Sequence, residues 1–171
     1  MKSALLLLIL LAHTLAAAAA GQPHDHGVAR LDVVVEPTRV VFDLQSPLDN
    51  IVGFERAPRT DAERDRAKAA LARLRNGAEL FRIDAAAGCS LHSADLRAPV
   101  LEGAADSKGG HADVQGHYEF QCKAGAKAGH VEIGLFEAFA GLRRLDLQVV
   151  TPRGQLKARL NRPTSRLALV R

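Results

Sequence analysis

Residues 111–122 read HADVQGHYEFQC and alternate with a period of two. Ala112, Val114, Gly116, Tyr118, Phe120 and Cys122 fall on one face, and His111, Asp113, Gln115, His117, Glu119 and Gln121 on the other. Successive side chains point to opposite sides in an extended strand, so the first face suits a core and the second suits water. The same period recurs along the chain. Leu31, Val33 and Val35 share one face, Glu36-Pro37-Thr38 supplies a turn, and Val40, Phe42 and Leu44 share a face of the returning strand, which predicts a hairpin. Ser46-Pro47 ends that strand, and residues 46–59 (with Pro47, Gly53 and Pro58) read as a long ordered loop. Further strands are expected over 79–84, 89–97, 130–135, 143–151, 155–160 and 166–170.

One helix interrupts this pattern. Thr60 caps and Glu63 follows three residues later, the spacing of a capping box. Ala67, Ala70, Leu71 and Leu74 form an apolar stripe. Asp61 and Glu63 sit near the positive end of the helix dipole and Arg73 and Arg75 near the negative end, and Asn76-Gly77 stops the helix. The expected fold is α+β, β-rich and mainly antiparallel, with the capped helix over about 60–76 and a short second helix over about 135–142. In that second helix Leu135, Phe136, Phe139 and Leu142 face inward.

The first twenty residues read as an export signal rather than as part of this domain. Lys2 gives a short positive start, a Leu-rich block runs from Ala4 to Ala12, and Ala16 to Ala20 offer a small-residue cleavage site before Gly21. The apolar block is shorter than the roughly 20 residues that span a bilayer, so no membrane span is expected after cleavage. The expectation is a periplasmic protein of one domain, residues 21–171, with a mobile N-terminal arm over 21–28 and a flexible loop over 98–110. Hydrophobic residues make up 47% of the chain but aromatics only 4%, with no Trp, so small and β-branched aliphatic residues must build most of the core. Arg56, Arg59, Arg64 and Arg66 are interspersed with Asp61, Glu63 and Asp65, which is not the concentrated basic face that a nucleic acid requires.

Cys89 and Cys122 are the only cysteines. In an oxidising compartment an isolated pair reads as a structural disulfide. Closing a loop of about 34 residues, it would stabilise the fold by roughly 3–4 kcal/mol on the chain-entropy view.

The remaining chemistry lies in the histidines. The outward face of residues 111–121 carries His111, Asp113, His117 and Glu119, and the N-terminal arm carries His24 and His26. Imidazole and carboxylate together suit zinc, although other divalent transition metals accept the same donors. His130 and Glu132 repeat the spacing, and His92 stands alone. No G-x-S-x-G elbow, H-E-x-x-H motif or glycine-rich phosphate loop is present, so no enzyme activity is expected.

Five segments carry a resemblance. His26-Gly27-Val28-Ala29-Arg30-Leu31-Asp32-Val33 is similar to the start of the ZrgA-like family of bacterial periplasmic proteins, and Leu44 to Glu55 (LQSPLDNIVGFE) resembles a long and distinctive motif of it. Ala87-Gly88-Cys89, His111-Ala112-Asp113 leading to Tyr118-x-Phe120-x-Cys122, and Leu135-Phe136-x-x-Phe139 follow in the family's order. The resemblance implies periplasmic zinc binding as an accessory to zinc acquisition, with an envelope transporter or other envelope protein as partner. Many members carry a His/Asp/Glu-rich tract before the His-Ala-Asp motif, whereas residues 101–110 here hold no histidine. What remains is a compact ligand set of His24, His26, His111, Asp113, His117 and Glu119, releasing zinc when the imidazoles take up protons. The competing reading is a non-metal interaction module that docks through residues 46–59, should Ile51, Val52 and Phe54 be exposed.

Overall fold

The computed structural model describes residues 25–102 and 112–169. In chain order the elements are β1 (Val28–Val35), β2 (Arg39–Pro47), α1 (Asp49–Val52), α2 (Asp61–Arg75), α3 (Gly77–Leu80), β3 (Phe81–Ile83), β4 (Cys89–Arg97) and β5 (Asp113–Cys122). They continue with β6 (His130–Ile133), α4 (Leu135–Ala138), β7 (Arg144–Thr151), β8 (Gly154–Asn161) and β9 (Arg166–Ala168). The proposed leader and most of the 98–110 loop lie outside the described residues.

Six strands form one sheet in the order β4-β5-β2-β1-β7-β8, and three form a second, β3-β6-β9. Every pairing is antiparallel except β1 with β7. The expected hairpin forms, with Val35 opposite Val40 and the Glu36 N–H donating to the Arg39 carbonyl at 2.8 Å. Leu31, Val33, Phe42, Leu44, Val114, Tyr118 and Phe120 all face the core, as their alternation requires. Phe42 stacks on Phe81 with centroids 4.3 Å apart, and Phe120 and Tyr118 meet that pair edge-on. Four of the seven aromatics thus pack where the small sheet meets the inner face of the large one.

The capped helix forms over α2. Thr60 accepts from the Glu63 N–H, and Glu63 reaches back to the Thr60 N–H. Ala67, Ala70 and Leu74 are buried and Leu71 is partly so. The expected strand over 79–84 is shorter, because a helical turn, α3, occupies Gly77–Leu80 first. Gly77 is needed at that turn, since a Cβ there would lie 2.7 Å from the Tyr118 ring.

The second helix is only the single turn α4. Phe139 is extended and turns its ring into the core, while the Arg162 guanidinium donates to the carbonyls of Phe136 and Phe139. Those acceptors are therefore met from outside the helix, and the chain leaves the helical path at Phe139. The 46–59 segment is also more ordered than a loop: Pro47 completes β2 and α1 follows. Val52 is buried, and Ile51 and Phe54 pack against the core, so they form no exposed apolar patch.

The disulfide is present between Cys89 and Cys122, which face each other across β4 and β5 with Cα atoms 3.9 Å apart. No helix among the described residues is long and apolar enough to cross a membrane.

Candidate metal centre

Where β1 begins and β2 ends, one buried side chain joins two separate parts of the chain. Asn50, 2% exposed, accepts from the Gly27 N–H at 2.6 Å through Oδ1. Its Nδ2 donates to the Val28 carbonyl at 2.9 Å and to the buried Ser46 hydroxyl at 3.2 Å. Gly27 has a φ of +84°, which L side chains rarely adopt. A kinked N-terminus is thereby held against α1, and His26 comes to lie beside Asp49.

The His26 Nδ1–H donates to Asp49 Oδ2. Asp49 Oδ1 is shielded from water and has no hydrogen-bond partner among the described residues. Glu55 completes the group. Gly53 caps α1 in the left-handed conformation and turns the chain back, so that Glu55 approaches the same point. The next residue is anchored in turn: Arg56 donates twice to Glu63, at 2.9 and 2.7 Å, and its guanidinium lies 5.3 Å from the Phe54 ring centre.

His26, Asp49 and Glu55 each offer one ligand atom, all within 4.8 Å of one another. Ligands sharing a tetrahedral zinc ion stand about 3.3 Å apart, given bonds of about 2.0–2.1 Å. Small side-chain rotations therefore separate this group from a coordination shell. The hydrogen bond and charge of Asp49, with a further contribution from Glu55, raise the pKa of His26.

The residues expected from the sequence are placed differently from one another. His26 belongs to the cluster. His24 and His111 lie outside the described residues. Asp113, His117 and Glu119 do lie on the outward side of β5, but neighbouring strands take them separately. Asp113 accepts from Gln45 at 3.1 Å, the His117 Nδ1–H donates to Asp43 at 2.7 Å, and Glu119 lies 3.8 Å from Arg39. His130 pairs with Asp84 at 3.3 Å and Glu132 with Arg166 at 3.0 Å, in the small sheet.

Asp49 and Glu55 were not singled out by sequence reasoning. Strand spacing groups only residues two apart, whereas His26 and Asp49 are 23 positions apart. The available signal was Gly53, a turn residue between two carboxylates within one motif.

Residues 23–169 match the family described as ZrgA family zinc uptake protein. No curated protein matches it.

Proposed function

The chain belongs to the ZrgA family of zinc uptake proteins, and from that premise we propose that it is a periplasmic accessory protein that captures zinc reversibly. The observation that carries this reading is the convergence of His26, Asp49 and Glu55 within 4.8 Å. Imidazole nitrogen and carboxylate oxygen are both zinc donors. In the metal-free protein Asp49 holds the His26 Nδ1–H; as that proton leaves, the imidazole nitrogen is free to bind the ion that Asp49 and Glu55 share. The unpartnered Asp49 Oδ1 supports the reading further, because a shielded carboxylate oxygen without a donor favours a cation nearby.

In this reading His24 and His111, both outside the described residues, are the candidates for further ligands. The protein performs no chemistry on its cargo. Binding requires neutral imidazole, so protons compete with zinc and make capture reversible. The disulfide is consistent with an oxidising compartment, and an envelope transporter is the natural recipient of the ion.

Zinc titration by calorimetry on chelator-stripped protein tests the proposal. Submicromolar binding near one ion per chain is expected, weakened at least about tenfold by His26→Ala or Glu55→Gln, as loss of a ligand or its support requires. Binding no tighter than tens of micromolar, or indifferent to both substitutions, would remove the cluster from the function.

A further inference from the structure

The outward face of the large sheet carries a cleft of about 510 Å³ that contains none of His26, Asp49 and Glu55. Its side chains form two rows across the strands β4, β5, β2 and β1. Direct pairings align Asp95, His117, Asp43 and Asp32 in one row. The next row, two residues along, runs Arg97, Gln115, Gln45 and Arg30. One row is therefore anionic apart from an imidazole, and the other has a guanidinium at each end.

These charges do not cancel one another. Arg30, Arg97, Asp32 and Asp95 have neither an ion pair nor a side-chain hydrogen bond among the described residues. Asp32 Oδ1 is shielded from water yet unpartnered. In the middle of the anionic row, Asp43 accepts from His117 Nδ1–H at 2.7 Å, which fixes the ring and leaves Nε2 as an acceptor.

The geometry points to a binding site for a small zwitterion, an unblocked dipeptide, and we propose that the cleft takes one. Rows two residues apart along a strand are separated by about 6.5–7 Å. Two extended residues span at most about 7 Å, so the ammonium and carboxylate ends of a dipeptide match the two rows. A single amino acid, whose two charged groups share one carbon, does not. The guanidinium of Arg97 takes the carboxylate in a forked pair. The carboxylate of Asp95, two residues from Arg97 on the same face of β4, takes the ammonium, and Gln115 beside Arg97 reaches the peptide bond. A cleft of this size lies within the usual range for small-molecule sites, about 300–1,000 Å³.

The inference is independent of zinc, and its test is run on chelator-stripped protein. Glycylglycine is titrated by calorimetry and by amide chemical-shift mapping, beside N-acetylglycine, which lacks the ammonium, and glycinamide, which lacks the carboxylate. Glycylglycine should bind at least tenfold tighter than either control and shift the amides of β4, β5, β2 and β1. Arg97→Gln and Asp95→Asn should each weaken it at least tenfold, while His26→Ala should leave it unchanged. Equal binding of the three compounds would overturn the proposal, as would full affinity in both cleft variants or loss of binding in His26→Ala. The two control compounds keep the test decisive even if a variant fails to fold.

Discussion

The Gly27 N–H donates to the Oδ1 of Asn50 at 2.6 Å, across 23 positions of sequence. Through this bond the residue after His26 is tied to the residue after Asp49, so the two candidate ligands are brought together by their neighbours and not by their own hydrogen bond alone. Asn50 makes three bonds from a buried position. Asn50→Ala strands a buried N–H and a carbonyl, and it should cost about 2–3 kcal/mol in urea unfolding. Zinc affinity should fall in the same variant. A variant that keeps full stability would show that water replaces the amide.

Tyr118 makes the opposite prediction. Its ring fills the core against Phe81 and Gly77, but its hydroxyl is buried without a partner among the described residues, and burial pushes its pKa up. Tyr118→Phe keeps the ring and removes an unmet polar group. It should stabilise the protein by about 1 kcal/mol, read as a higher urea midpoint at unchanged slope. A loss of stability would mean that the hydroxyl has a partner, such as a buried water.

Acid should weaken the anchor beside the cluster. The Arg56 hydrogen bonds, then the Arg59 N–H, hold the Glu63 carboxyl at about 2, down from an ordinary 4.5. A depressed carboxyl contributes stability that is fully present above the ordinary value and is lost as pH falls through the depressed one. Asp84 is depressed in the same direction by the N–H groups of Ala86 and Gly129. The unfolding midpoint should therefore drop as pH falls from about 4.5 toward 2, and Glu63→Gln should flatten that part of the profile. An unchanged profile in Glu63→Gln would assign the acid response to other groups.

Much of this architecture was legible from local patterns, and the reason is visible in β5. Its inward set, Val114 to Cys122, is fixed by alternation alone, because one face is buried and a slip of one residue would expose it. Thr60 and Glu63 marked the helix start because both capping partners lie within four residues. The parallel pairing of β1 with β7 was not legible, since Val28 meets Arg144 with about two thirds of the chain between them. The short turn α1 was missed for a different reason: four residues are too few for a helical period to declare itself. The candidate site followed the same rule. His26 stood out as a residue type, whereas its partners Asp49 and Glu55 depend on where Asn50 and Gly53 send the chain.

The outward histidine of β5 supplies the sharpest test of where zinc binds. Spacing alone groups His117 with Asp113 and Glu119, yet residues two apart on a strand stand about 6.5–7 Å from one another. Each has instead been taken by a neighbouring strand, His117 by Asp43, Asp113 by Gln45 and Glu119 by Arg39. A zinc ion there would have to draw donors from two or three separate pairs, whereas His26, Asp49 and Glu55 already converge. His117→Ala should therefore change zinc affinity by no more than about twofold, against at least about tenfold for His26→Ala, the difference between a bystander and a ligand. Calorimetric titration of the two single variants side by side reads this directly. A tenfold loss in His117→Ala with none in His26→Ala would move the zinc site to the face of the sheet, where Asp43 would become the carboxylate that orients the ligand.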